Sequence, residues 1–306
     1  MVAALGFLFF EVLFESWVPG RVGETYTRAV FAGHGGRRIR DPRRSDVRDY
    51  GVLTDLPLIE DPWFYLTATL AVLILGIAKG GFAGGIGLVA VPLMSLTIEP
   101  ARAAAILLPI LILMDVTALR HYWDQWDRRN IATMVPGAVL GTAIGFASFE
   151  FLSANDLRVM VGFIAFVFAL RWWLMREQGS AREAGMGSGT FWSALAGFTS
   201  FSVHAGGPPI HIYLLSQRMD KTTFQATTVA FFFGINWLKV GPYAWLGQLD
   251  GSNLATSMVI APLAPIGILI GARLHHRINE AFFFRVVYAS LLVLGLKLMH
   301  DGLLGR

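Results

Sequence analysis

The sequence predicts an all-α fold. It is a polytopic bundle of transmembrane helices built from two inverted repeats, each a broken re-entrant helical hairpin plus three spans. Three observations lead there. Apolar runs recur from Pro62 to the end of the chain, several of them near the roughly 20 residues that a bilayer core requires. Of the 306 residues, 55% are hydrophobic and only 15% charged, with a mean hydropathy of +0.56. A soluble domain is about one quarter charged. Finally, proline, glycine and polar residues return at a nearly constant spacing in the two halves. A membrane β-barrel would show short alternating segments instead.

Composition also excludes function classes. The chain has no cysteine, so disulfides, thiol catalysis and cysteine metal sites are out. The net charge of +4 is that of loop residues that orient a membrane protein, not of a nucleic-acid binder. The expected partners are the lipid bilayer and a small anionic substrate. No cofactor and no metal are expected, and nothing in the composition specifies an oligomeric state.

Residues 1–60 form an extension of different character. Leu5–Val18 is apolar but interrupted by Glu11 and Glu15 and lacks a basic leader, so it reads as a short interfacial helix and not as a signal peptide. Gly33–Tyr50 (GHGGRRIRDPRRSDVRDY) is Arg-rich and nearly free of apolar residues, which predicts poor order. The first membrane repeat is expected over 61–176, a polar linker over 177–189 and the second repeat over 190–306.

The apolar runs predict membrane segments at Pro62–Ala78, Ile86–Leu96, Ala101–Leu119, Ile131–Phe149 and Leu157–Leu174 in the first half. Those of the second half are Thr190–Ala205, Pro209–Leu215, Thr223–Leu246, Leu254–Ala272 and Phe282–His300. Ile86–Leu96 and Pro209–Leu215 are too short to cross alone, and each follows a glycine-rich break. The repeat is legible in matched residues. PGAVLGTAIG (Pro136–Gly145) and PLAPIGILIG (Pro262–Gly271) share Pro, Gly and Gly at an offset of 126. Gly84–Gly85 match Gly206–Gly207 at 122, Asp115 matches Asn236 at 121, and Arg158 matches Arg285 at 127.

Loop charge gives the relative orientation of the halves. The loop Arg120–Asn130 carries Arg120, Arg128 and Arg129, whereas its counterpart Gly247–Asn253 has no Lys or Arg. The next loop is acidic in half one (Glu150–Asp156) and basic in half two (Arg273–Glu280). Under the positive-inside rule equivalent loops then face opposite sides, as in the inverted repeats of transporters. The count closes if Pro62–Leu96 and Thr190–Ser216 each enter and leave on one side. It leaves the Arg-rich extension on the outer side.

The two breaks supply the candidate site. Gly80, Gly81, Gly84, Gly85, Gly206 and Gly207 allow tight turns and close approach of a ligand to the backbone. Pro208 and Pro209 stop the helix. A half-helix that restarts at membrane depth offers free N–H groups and its positive dipole end to an anion. Lys79 adjoins the first break and Lys239 lies within an apolar helix. Intramembrane charges are costly and point to function, although a lysine near a helix end or bend also snorkels to the interface.

The candidate substrate-binding residues are therefore Lys79, Gly80, Gly81, Gly84, Gly85, His204, Gly206, Gly207, Pro208, Asn236 and Lys239. Asp115, mid-helix in LLPILILMDVTALR, is the candidate coupling residue, with a plain ion pair as the competing reading. Asn236 either binds substrate or bridges helices, and His204 and His211 either titrate or serve as hydrogen-bonded structural residues. Gly141, Gly145, Gly267 and Gly271 read as close-packing positions. The aromatic runs Phe231–Phe233, Phe282–Phe284 and Trp172–Trp173 read as lipid-facing or interfacial.

From about Leu70 to Leu304 the chain resembles the TauE/SafE family of membrane transporters, the sulfite exporters. The residues that carry the likeness are GIAKGGFAGGIGLVAVPLM, AAAILLPILILMDVTALRHY, PGAVLGTAIG, FTSFSVHAGGPPIHIYLLSQRMDK, TTVAFFFGINWLKVGPYAWLG and APLAPIGILIGARLH, in this order. The resemblance implies movement of small sulfur-containing anions such as sulfite or sulfonates across the plasma membrane. The residue reading by itself gives a secondary transporter for a small anion, with Asp115 as proton carrier. Its alternatives are an anion channel and an intramembrane enzyme using His204 with Ser200 or Ser202. The chain has no G-x-S-x-G elbow, no H-E-x-x-H and no Walker A loop, which argues against catalysis and ATP-driven transport.

Overall fold

A computed structural model of the chain describes residues 58–81, 87–149, 151–174, 185–217, 219–274 and 280–305. The extension up to residue 57 and most of the expected linker lie outside the described residues. All regular structure among the described residues is helical. The elements in order are α1 (Pro62–Gly81), a 3₁₀ turn (Gly87–Val89), α2 (Ala90–Met94), α3 (Pro100–His121), α4 (Arg128–Phe149) and α5 (Ala154–Leu174). The second half follows with α6 (Met186–Val203), α7 (Gly207–Leu215), α8 (Lys221–Trp245), α9 (Gly251–Ile260), α10 (Leu263–Leu274) and α11 (Glu280–Leu304). Met186–Gly189, the end of the expected linker, form the first turn of α6.

Among the described residues, six stretches are long and apolar enough to cross a membrane: α1, α3, α4, α5, α9 with α10, and α11. Their apolarity runs round the whole helix because one side meets protein and the other lipid. Val139, Leu140 and Ile144 are exposed on α4 while Met134 and Ala138 are buried. The short α2 and α7 pack on α1 and α6, so each broken element is a folded-back pair.

The main helix pairings are α4 with α6, α1 with α10, α5 with α11, and α3 with α8. Exchanging the halves converts the first pairing into the second and leaves the last two unchanged. The close pairings rest on glycine. A Cβ on Gly141 would lie 1.8 Å from the Ala194 carbonyl oxygen, and one on Gly76 would lie 2.9 Å from Gly267 Cα. Small residues let backbones approach where helices gain no hydrophobic advantage over lipid. The PxxxxGxxxG glycines thus hold α4 to α6 and α10 to α1.

Two expectations are corrected. Leu254–Ala272 is not one helix: it breaks at Ala261–Pro262 between α9 and α10, whereas Pro136 sits inside an uninterrupted α4. The reason is local. APLAP places Pro262 and Pro265 three residues apart, so two helix donors are missing and two rings crowd the preceding turn. The aromatic run Phe231–Phe233 does not all face outward, since Phe231 is buried. Successive helix residues turn by about 100°, so three in a row cannot share a lipid face.

The α3–α4 turn and the α8–α9 turn lie at opposite ends of α3. Asp127, just after α3, donates its N–H to Thr227 Oγ1 early in α8 (2.9 Å). Arg102, at the start of α3, reaches Asn253 and Ser252 just after α8. The helices α3 and α8 therefore run antiparallel side by side. With 22 residues, α3 is about 33 Å long, so the α3–α4 turn and the α8–α9 turn lie a membrane thickness apart.

Candidate functional site

The second break is built as its residues dictate. Helix α6 ends at Val203, and His204 caps it in the left-handed region at φ 54° and ψ 30°. A residue with a Cβ pays about 1–2 kcal/mol there. Its N–H and that of Ala205 return to the Ser200 and Thr199 carbonyls, and the Thr199 hydroxyl donates to the Ala205 carbonyl. The chain restarts at Gly207 with Pro208 and Pro209 in the first turn of α7. Proline has no N–H. The break thus offers Gly206 and Gly207 as backbone donors, fewer than a generic helix start supplies. A Cβ on Gly206 would meet the Ala196 carbonyl oxygen at 2.8 Å.

Polar groups gather on the two central helices. Lys79, at the end of α1, pairs with Asp115 Oδ1 on α3. Asn236 Nδ2 on α8 donates to Asp115 Oδ2 at 2.5 Å. Asp115 and Asn236, which the sequence matched at an offset of 121, are thus in direct contact between α3 and α8. Both are buried, at 1% and 3% exposure. Lys79 keeps 19% of its side chain exposed.

One turn beyond Asn236 on the same face of α8 stands Lys239, fully buried. Its ammonium group donates to the Ser200 carbonyl (3.1 Å), Ser200 Oγ (3.1 Å) and His204 Nδ1 (2.8 Å). Those contacts use all three of its hydrogens. The opposite ring nitrogen, His204 Nε2, lies 2.8 Å from the Ala104 carbonyl on α3. A carbonyl only accepts, so Nε2 carries the hydrogen and Nδ1 is left with the lone pair that Lys239 uses. His204 therefore joins α3 of one half to α6 and α8 of the other. Tyr243, a further turn along α8, donates to the Phe201 carbonyl at 2.6 Å and stacks near the His204 ring.

The two lysines differ in what neutralises them. Lys79 has a carboxylate. Lys239 has three neutral acceptors, and among the described residues no carboxylate lies within 4.0 Å of it. A cation at the bilayer centre costs about 3 kcal/mol even on insertion scales. Hydrogen bonds to neutral groups satisfy its donors, and only the charge of Asp115, beyond contact distance, offsets its own.

The structure thus brings together Lys79, Asp115, Asn236, Lys239 and His204. Gly80 packs on α10, where a Cβ would lie 2.2 Å from the Ile268 carbonyl oxygen. Gly206, Gly207 and Pro208 form the break beside His204, Gly81 ends α1, and Gly84 and Gly85 lie outside the described residues. His211 stands apart on α7 with its ring near Phe224. Sequence reasoning missed Tyr243 and the Ala104 carbonyl, and it named Ser200 only as a nucleophile. The spacing of Asn236, Lys239 and Tyr243 (i, i+3, i+7) marks one helix face and could have found the tyrosine. No side-chain pattern points to a backbone carbonyl.

A family model described as Sulfite exporter TauE/SafE matches residues 68–298. No curated protein and no solved structure matches the chain.

Proposed function

The chain belongs to the sulfite exporter TauE/SafE family, and from that premise we propose that it is a secondary transporter of a small anion, such as sulfite or a sulfonate, across the plasma membrane. The observation that carries this is the buried Lys239, which has no carboxylate in direct contact among the described residues and only the more distant charge of Asp115. Such a cation is stabilised when an anion arrives beside it and rejects other cations. Asn236, the Ser200 hydroxyl and the Gly206 and Gly207 amides complete the binding groups. Asp115 is the coupling residue: a proton on it would release Lys79 and change the charge facing the substrate.

The inverted repeat belongs to this reading. It is supported by the exchange pattern of helix pairings and by equivalent turns at opposite ends of α3. A central site between two such halves suits alternating access better than a permanently open channel. One distance favours a second reading, the 3.1 Å contact of Lys239 Nζ with Ser200 Oγ, the pairing of a Ser–Lys hydrolase. Ser200→Ala separates the two: a transporter keeps saturable flux at a weaker apparent affinity, a hydrolase loses all activity.

The test is anion uptake into proteoliposomes, comparing sulfite, sulfate, a small sulfonate and acetate with and without a pH gradient. Saturable flux of sulfur anions, driven by the gradient, is the expected result. Absence of flux for all four with folded protein would overturn the substrate assignment. Non-saturating flux would favour a channel.

A further inference from the structure

The two equivalent turns share a construction that their sequences show only once the structure points to it. Asp127-x-x-Asn130 opens α4 and Asp250-x-x-Asn253 opens α9, at an offset of 123. In each, the aspartate accepts the asparagine's own N–H (3.0 and 2.8 Å) and its side-chain Nδ2 (3.0 and 3.1 Å). This fixes the amide so that its Oδ1 points away from the cap. In each, that oxygen is taken by a residue of the opposite half. Tyr213 OH on α7 donates to Asn130 Oδ1 at 2.6 Å. Arg102 Nε on α3 donates to Asn253 Oδ1 at 2.9 Å, and its Nη2 donates to Ser252 Oγ at 2.8 Å.

We propose that these are two latches, one at each end of the bundle, whose alternate release exposes the central site to one side and then the other. The proposal rests on the transport reading and adds to it where the molecule opens. Each latch crosses the boundary between halves, and each lies at a helix start that can swing about its own cap without breaking the helix. Both contacts are made at once in this structure. Their partners differ: a neutral phenol at one end, a guanidinium at the other. Charge-assisted bonds are about twice as strong as neutral ones, so the Arg102 end is the more firmly held.

The chain has no cysteine, so a single one can report access. Ala205, buried beside the break, is replaced by Cys and its labelling by a membrane-impermeant thiol reagent is followed from each side of oriented vesicles. Arg102→Ala, which removes two charge-assisted hydrogen bonds, is expected to raise labelling from the α8–α9 side relative to the other by at least about tenfold, the scale of one such bond. Tyr213→Phe is expected to shift the ratio the opposite way by a smaller factor. As a folding-independent check, cysteines at Arg102 and Ser252 joined by a short reducible crosslinker should stop flux, and reduction should restore it. Both variants shifting the ratio in the same direction, or neither shifting it, would overturn the latches, as would flux that persists through the crosslink. The labelling needs no substrate. If the parent protein carries no anion while the ratios still shift oppositely, the latches stand and the transport reading falls.

Discussion

The buried charges set what single residues can do. Lys79 and Asp115 neutralise one another, so removing one leaves the other stranded. Lys79→Met should cost roughly 3–5 kcal/mol, the usual penalty for breaking a buried pair. Adding Asp115→Asn should return much of it, because the new amide carries no charge. Thermal unfolding in detergent checks this; additive losses in the double variant would show that the pair is not coupled. Lys239 behaves differently. Lys239→Met removes a cation with no carboxylate in direct contact, so it should cost less stability than Lys79→Met while anion affinity falls at least about tenfold, the scale of a hydrogen bond to a charged group. A binding titration on folded protein decides, and unchanged affinity would remove Lys239 from the site.

At the scale of the element, caps and close contacts govern. Asp127 sits outside the membrane span. Burial pushes its carboxyl up, but hydrogen bonds from Asn130 and the Arg129 N–H outweigh that and hold it below the ordinary range. A carboxylate depressed in the folded state stabilises it above its unfolded pKa, about 3.9, and that contribution is lost as pH falls through the lower folded value. Protection of the amides at the start of α4, measured relative to intrinsic exchange at each pH, should therefore fall below about pH 4, and Asp127→Asn should remove that fall. The glycine contacts make a blunter prediction. Gly141→Leu cannot be accommodated beside the Ala194 carbonyl, so α4 and α6 must separate. Loss of the folded species in size-exclusion chromatography is expected, whereas leucine at exposed Val139 on the same helix should be tolerated.

At the scale of the molecule the claim is opposite orientation of equal halves. Cysteines at exposed Trp123 in the α3–α4 turn and at Gly251 opening α9 should label from opposite faces of the membrane. Labelling from the same face would end the inverted arrangement. Much of the helical membrane architecture was legible from apolar run lengths and recurring small residues. The pairing of Asp115 with Asn236 and the glycine spacing named positions that prove to touch one another or to carry the helix contacts. The site was half legible. Intramembrane Lys79, Asp115, Asn236 and Lys239 announced themselves by their cost in an apolar run. Which lysine met the carboxylate did not, because Asp115 is 36 residues from one and 124 from the other in sequence, and both distances are silent about space.

The sequence alone determined the helical membrane character and the break at His204–Gly207, since hydrophobic length, proline and glycine act through local backbone physics. Only the tertiary structure decided the partners. It gave Lys79 its carboxylate and left Lys239 with neutral acceptors, fixed the His204 tautomer through the Ala104 carbonyl, and joined Asn130 to Tyr213 but Asn253 to Arg102. Those outcomes depend on which helix faces meet across the bundle. Hydrogen bonds and charge pairing act over a few ångströms of space, whatever the separation along the chain.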